Sequence, residues 1–149
     1  MNYDVFGLFS LTVGPNSPLN DSCAPPAYQQ GSAVSAVQAW SGAGFPPHQI
    51  ILGVASYGHS YHVNRSEALD ASGGLKLFPD FNKTDHPSGD AWDSTAGGVD
   101  ECGNPNVVGG IFNFWGLIVG GFLKDNGAPS CEVHHNFDNC SQTVRATYS

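Results

Sequence analysis

Gln49-Ile50-Ile51-Leu52-Gly53-Val54-Ala55-Ser56-Tyr57-Gly58-His59-Ser60-Tyr61 is the stretch from which the fold is read. Ile50 to Ala55 is a continuous apolar run rich in branched residues, which predicts a parallel strand buried on both faces. Ser56 to Tyr61 is polar and aromatic, as at the carboxyl end of such a strand. In open α/β sheets and βα barrels that end faces the ligand site. Upstream, Pro46-Pro47 follows Gly42 and Gly44, a punctuation that closes a helix. From Gln29 to about Trp40, the residues Ala33, Val34, Ala36, Val37 and Trp40 recur at helical spacing, so a helix is predicted with Trp40 on its core face. Pro15, Pro18, Pro25 and Pro26 set an irregular loop over 14–28.

Before that loop, Met1-Asn2-Tyr3-Asp4 reads as a strand ending in a phenol and a carboxylate. Strand, loop, helix, turn, strand is a βαβ unit. A right-handed crossover points both strand ends to the same side. Tyr3, Asp4, Tyr57 and His59 are therefore predicted to face one cleft. A soluble domain seldom begins on its site-bearing strand, so the sequence also predicts a missing N-terminal portion.

After Tyr61 the pattern changes to Gly/Asp/Asn/Pro clusters and isolated aromatics. Residues 62–149 read as an α+β segment with short strands, Gly110–Trp115 among them, and no internal repeat. Trp92, between Asp90 and Asp93, is a candidate for stacking on a sugar ring. Trp115, set among Ile111, Phe112, Phe114 and Leu117, is expected in the core. Asp93 and the pair Asp100-Glu101 are expected to be solvated. His59 and His62 form an H-x-x-H spacing without a third ligand in pattern, so no metal site is read. His134-His135 is expected to face solvent, and no cofactor motif is found.

A net charge of -8, with five Lys+Arg and no basic cluster, argues against nucleic acid or an anionic membrane as partner. It suits a neutral ligand such as a sugar. The apolar stretch Ile111 to Leu123 is too short and too rich in glycine to cross a bilayer. Cys23, Cys102, Cys131 and Cys140 lack metal-like spacing and read as two disulfides with three possible connectivities. Sequons stand at Asn20, Asn64, Asn82 and Asn139. Disulfides and sequons together predict an extracellular protein, although no signal peptide is present.

These residues carry a resemblance. Met1-Asn2-Tyr3-Asp4 resembles the Met-x-Tyr-Asp strand of family-18 glycoside hydrolases, the chitinases and their relatives. Gly14-Pro15-Asn16-Ser17-Pro18-Leu19 resembles the loop that follows it, and Leu52-Gly53-Val54-Ala55-Ser56-Tyr57-Gly58 the next strand. Gly109 to Trp115 and Asp138 to Thr143 resemble the small inserted domain of fungal secreted members. The resemblance implies an α/β fold that is part of a (β/α)8 TIM barrel, about strands 6 and 7. Residues 1–61 would be a partial catalytic domain and 62–149 an α+β insertion domain, with the barrel incomplete. It implies chitin or N-acetylglucosamine oligomers as partner, and retaining hydrolysis in which the substrate's N-acetyl group is the nucleophile and a glutamic acid protonates the leaving oxygen. Tyr3 would bond the acetamido oxygen and Asp4 a sugar hydroxyl, in supporting catalytic roles. Tyr57, His59 (where many members carry arginine) and Trp92 would contact substrate.

The family's Asp-x-x-Asp-x-Asp-x-Glu strand is absent, and the only glutamates, Glu67, Glu101 and Glu132, lack its spacing. Val144 to Ser149 depart from the family's pattern. The sequence thus reads as the C-terminal fragment of a secreted chitinase, inactive by itself. The alternatives are a chitinase-like carbohydrate-binding protein and a non-functional truncated product.

Overall fold

The computed structural model describes residues 1–93 and 97–147. Its first helix, α1, spans Ala33–Gly42. It begins later than the apolar periodicity predicts, because a stronger start signal intervenes. Ser32 and Ser35 form a reciprocal capping box, each side chain taking the other's backbone N–H. The preceding Pro26–Tyr28 forms a 3-10 turn instead. Gly44, at φ +96°, ends the segment as the glycine punctuation requires. Ala33 is buried on α1, whereas Trp40 is 55% exposed and packs edge-to-face on Phe45 at 5.1 Å. The prediction of Trp40 in the core is corrected: among the described residues its helix face meets no second layer.

The same holds for the run that decided the fold. Asn2 and Val54 form a parallel bridge, with the Asn2 N–H donating to the Gly53 carbonyl at 2.9 Å, so the two segments run as a βαβ unit demands. Beyond that bridge no ladder forms, and Ile51 is 94% exposed. Burial on both faces is thus not observed for Ile50–Val54 among the described residues. An apolar strand needs neighbours on each side, and here it has one at a single point.

The longer pairings join the chain in a way the sequence did not announce. Strand β1 (Tyr57–His59) pairs antiparallel with β2 (Ile111–Asn113), His59 opposite Ile111 and Tyr57 opposite Asn113. A short helix, α2, spans Arg65–Ala68 between them. The expected strand Gly110–Trp115 ends early, for Phe114–Val119 is a helix, α3. Asp90 and Asp93 secure β2 from the side. Asp90 accepts the Asn113 N–H at 2.7 Å, and Asp93 accepts the N–H groups of Gly110 at 2.7 Å and Gly89 at 2.9 Å. One oxygen of Asp93 is buried without a partner among the described residues. Asp93 is therefore a structural anchor, not the solvated carboxylate expected. Asp100 holds an exposed turn by accepting the N–H groups of Cys102 and Asn104.

Strands β3 (His134–Asp138) and β4 (Thr143–Thr147) form an antiparallel hairpin. The residues from Val144 onward, which depart from the family's pattern, thus pair in register as far as Thr147. The Cys23–Cys140 disulfide ties this hairpin to the proline-set loop, and the Leu19 N–H donates to the Ser141 carbonyl at 2.8 Å. Between them lies an aromatic group. Tyr28 stacks on Phe78 at 4.2 Å, Phe6 lies 6.0 Å from Phe78, and the Arg145 guanidinium sits 5.1 Å from the same ring. Hydrogen bonds and a disulfide therefore link residues on both sides of position 61.

The structure also contains a local repeat that the sequence reading missed. Leu69–Leu75, Val99–Pro105 and Leu123–Pro129 each close by an antiparallel bridge between their first and seventh residues. In each, the second residue's N–H donates to the sixth carbonyl, and the fifth N–H returns to the second carbonyl. The fifth residue is Gly73, Gly103 or Gly127, at φ +83°, +82° and +79°. This is a tight turn followed by a left-handed residue, which glycine adopts without steric cost. Because its other positions differ in sequence, only the glycine and the flanking apolar residues marked it.

Candidate functional site

Asp4 is the centre of the site. It adopts φ +55°, a left-handed conformation that Asp tolerates better than most residues. One of its carboxylate oxygens, Oδ1, accepts a hydrogen bond from the Tyr57 hydroxyl at 2.7 Å and lies 2.9 Å from His59 Nε2. Tyr3 meets the Tyr57 ring edge-on at 6.3 Å, and Tyr57 meets His59 edge-on at 5.9 Å. Tyr3, Asp4, Tyr57 and His59 are thus brought together from two strand ends. The β1–β2 pairing places Tyr57 and His59 two residues apart on one strand, so both side chains share a face.

The electrostatics follow from these contacts. The Tyr57 hydroxyl bond is the largest effect on the Asp4 carboxyl and, with His59 adding to it, holds the group below its ordinary range against the opposing effect of burial. Partial burial, then the bond to Asp4, pushes the Tyr57 phenol up to about 12. Burial pushes the Tyr61 phenol up as well, with Asp4 adding to the effect. His59 is largely enclosed, its side chain 12% exposed, while the Asp4 side chain is 50% exposed. Its second oxygen, Oδ2, makes no hydrogen bond among the described residues. The arrangement is an ionised acceptor, gripped on one side and open on the other, beside aromatic rings.

An open cleft is lined by Asp4, Gly7, Leu8, Phe9, Tyr57 and His59 and completed by β2, whereas Tyr3, expected to face it, packs on the Tyr57 ring and does not line it. Phe9, 74% exposed, is a cleft residue that the sequence reading missed. Its signal was an aromatic residue in the Gly7-to-Gly14 loop directly after a site-bearing strand end. Asn16 was also missed as a site residue. Its side-chain oxygen accepts the Asp4 N–H at 2.9 Å, and its amide nitrogen donates to the Tyr57 carbonyl at 2.9 Å.

Trp92 does not line this cleft. It stands exposed and meets Trp115 edge-to-face at 5.9 Å, and Trp115 is itself 42% exposed instead of lying in the core. The second disulfide expected from four cysteines is not formed: Cys102 and Cys131 are free and exposed, each in or beside one of the glycine turns. Of the sequons, Asn64, Asn82 and Asn139 are exposed, whereas Asn20 is half-buried. His62 pairs with Asp85 at the surface, and His134 and His135 are exposed. Among the described residues no cluster of three or more His, Cys, Asp or Glu is placed to hold a metal ion. No described helix is long and apolar enough to cross a membrane.

No family model matches the chain. It is 53% identical over 145 residues, 96% of its length, to a chitinase-like effector of Moniliophthora roreri, of which it covers 35%. Its fold superposes on a chitinase from Rhizomucor miehei with a TM-score of 0.78 and 30% identity, over 99% of this chain and 38% of that one. A GH18 chitinase from Cycas revoluta in complex with (GlcNAc)4 shares the fold at a TM-score of 0.57 and 18% identity, over 99% of this chain and 33% of that one. The chain thus spans about a third of the length of the relatives it matches. It belongs to the family-18 glycoside hydrolase group, the chitinases and chitinase-like proteins.

Proposed function

We propose that this chain binds N-acetylglucosamine oligomers of the chitin type along the Asp4–Tyr57–His59 cleft, and that by itself it does not hydrolyse them. The observation that carries this reading is the Asp4 carboxylate, fixed by Tyr57 and His59 in a cleft also lined by Phe9, with Oδ2 left without a hydrogen bond among the described residues. Sugars are bound by acceptors for their hydroxyls set beside aromatic faces. In this reading Asp4 accepts a sugar hydroxyl, Tyr3 bonds the acetamido oxygen, and Phe9 offers its ring to the sugar. Trp92 would serve a more distant sugar unit. In this reading residues 1–61, as barrel strands 6 and 7, supply most of the cleft, and residues 62–149, as an α+β insertion, complete it at Gly109 and Ile111. The occupied Cycas revoluta relative supports the ligand class.

Hydrolysis asks for a different group. A general acid must hold a proton at working pH, and its loss costs about 10²- to 10⁴-fold in rate. Asp4 is held ionised, so it has no proton to give. None of Glu67, Glu101 and Glu132 lines the cleft. In a longer protein carrying the family's acid, the same residues would position substrate for substrate-assisted cleavage. The likeness to the Rhizomucor miehei chitinase favours that second reading for such a protein. An extracellular setting, with glycans on the exposed sequons, accompanies both readings.

The test is calorimetric titration of the chain with tetra-N-acetylchitotetraose, followed by chromatography of the sugar. Binding without shorter products is expected, and Asp4→Ala should abolish it. Absence of binding to the unmodified chain would overturn the reading, and the appearance of shorter sugars would overturn its non-hydrolytic half.

A further inference from the structure

We infer that Asn16 is a positioning residue, whose single side-chain amide locks the two strand ends together and aims the Asp4 carboxylate at Tyr57 and His59. The inference deepens the sugar-binding reading and rests on it for its ligand. Its geometry is independent of any ligand.

Asn16 touches both halves of the site. Its Oδ1 accepts the Asp4 N–H at 2.9 Å, its backbone carbonyl accepts the Val5 N–H at 3.2 Å, and its Nδ2 donates to the Tyr57 carbonyl at 2.9 Å. The amide orientation is fixed by its surroundings, since the oxygen meets a donor and the nitrogen an acceptor. Asp4 needs such support because its left-handed φ of +55° is disfavoured for an L-residue by about 1–2 kcal/mol. Two hydrogen bonds to Asn16, on consecutive N–H groups, hold that turn. The two main chains pair at the Asn2–Val54 bridge, and at the level of the site the Asn16 amide joins them again, Asp4 N–H to Tyr57 carbonyl, beside the side-chain bonds of Tyr57 and His59 to Asp4.

The residue type is specific. A carboxylate offers acceptors alone, so Asn16→Asp would lose the bond to Tyr57 and place a second negative charge beside Asp4. The surrounding loop has its own anchors. Ser17 Oγ donates to the Asn2 carbonyl, Asn2 Nδ2 donates to the Pro18 carbonyl at 3.0 Å, and Pro18 is fully buried. Truncating the Asn16 side chain should therefore misalign Asp4 without releasing the loop. The titratable groups facing Asp4 are Tyr57, His59 and Tyr61, with no second carboxylate among them.

The experiment follows the Asp4 carboxyl carbon by NMR through a pH titration of the 149-residue chain, with and without Asn16→Ala, alongside chitotetraose binding. In Asn16→Ala the Asp4 midpoint should rise toward the ordinary carboxylate value and affinity should fall about tenfold, the loss expected for one to two hydrogen bonds. Adding Tyr57→Phe to Asn16→Ala should then move the Asp4 midpoint less than Tyr57→Phe does alone. An unchanged Asp4 titration, or strictly additive effects, would overturn the inference. If the unmodified chain binds no sugar, the functional reading fails while the Asp4 titration still decides the role of Asn16. Should Asn16→Ala not fold, the unsubstituted chain decides instead. Slow exchange of the Asn16 side-chain amide protons, with a cross-peak to Tyr57, supports the clamp, and fast exchange without that cross-peak refutes it.

Discussion

At the scale of single residues, the site is built around an acceptor kept charged. Because the folded Asp4 carboxyl titrates below its ordinary value of about 3.9, its contribution is complete above that value and disappears as the pH falls through the folded midpoint. Sugar binding should accordingly be flat from neutral pH down to about 4 and decline below it. Tyr57→Phe removes the largest of the effects that hold Asp4 down, so the decline should begin at higher pH, with affinity several-fold weaker at neutrality. Calorimetry across pH 3–7 on both proteins checks this; coincident profiles would contradict it. That Tyr3, Asp4, Tyr57 and His59 lie close together was legible in the sequence because strand polarity and a right-handed crossover suffice to put two strand ends side by side; that Tyr3 packs on Tyr57 without lining the cleft was not. Asn16 and Phe9 were not, since a loop's path depends on contacts that spacing does not encode. Trp40 and Trp115 fail for a related reason. An apolar periodicity shows which side chains share a face, but burial requires a second layer.

At the scale of elements, the β1–β2 pair depends on how closely its neighbour approaches. Gly89 passes so near Ile111 that a Cβ there would overlap the Ile111 backbone, which cannot move aside as a flexible side chain can. Gly89→Ala should thus cost about 1–3 kcal/mol by overpacking. It should also loosen the β2 side of the cleft, because the same glycine's N–H is held by Asp93. Urea unfolding followed by tryptophan fluorescence would measure the loss, and an unchanged midpoint would show that β2 can shift. Gly44, where φ is also positive, has open space around its Cβ position, so there only backbone strain is felt. The contrast separates glycines required for close approach from those required for conformation. It also explains why the three glycine turns escaped the sequence reading. Their shared features are backbone ones, a bridge, two hydrogen bonds and a positive φ at the glycine, and the side chains between the apolar ends and that glycine vary.

At the scale of the whole molecule, long-range ties compensate for a small core. Phe6, Ala33, Phe81 and Val133, with Pro15, Pro18 and Pro79, are its buried apolar side chains among the described residues, while Ile51, Val54 and Trp40 remain exposed. The Cys23–Cys140 disulfide closes a separation of 117 residues, long enough to restrict the unfolded chain strongly. Cys23→Ser should lower stability by about 2–4 kcal/mol. Cys102→Ser and Cys131→Ser, at exposed free thiols, should each change it by no more than about 0.5 kcal/mol. Thermal and urea unfolding of the three variants would reveal an equal effect if Cys102 and Cys131 were in fact paired. The sequence by itself determined the family, the closeness of Asp4, Tyr57 and His59 and the absence of the family's acidic string from these 149 residues. All of these follow from local pattern and from residues that are present or missing. Only the tertiary structure decided which cysteines pair, that Asp93 is an anchor, that Phe9 lines the cleft and that Asn16 joins its two sides. Those outcomes depend on distances between residues far apart in the chain, which are fixed by packing and by the pairing of backbone hydrogen bonds, not by neighbours in sequence.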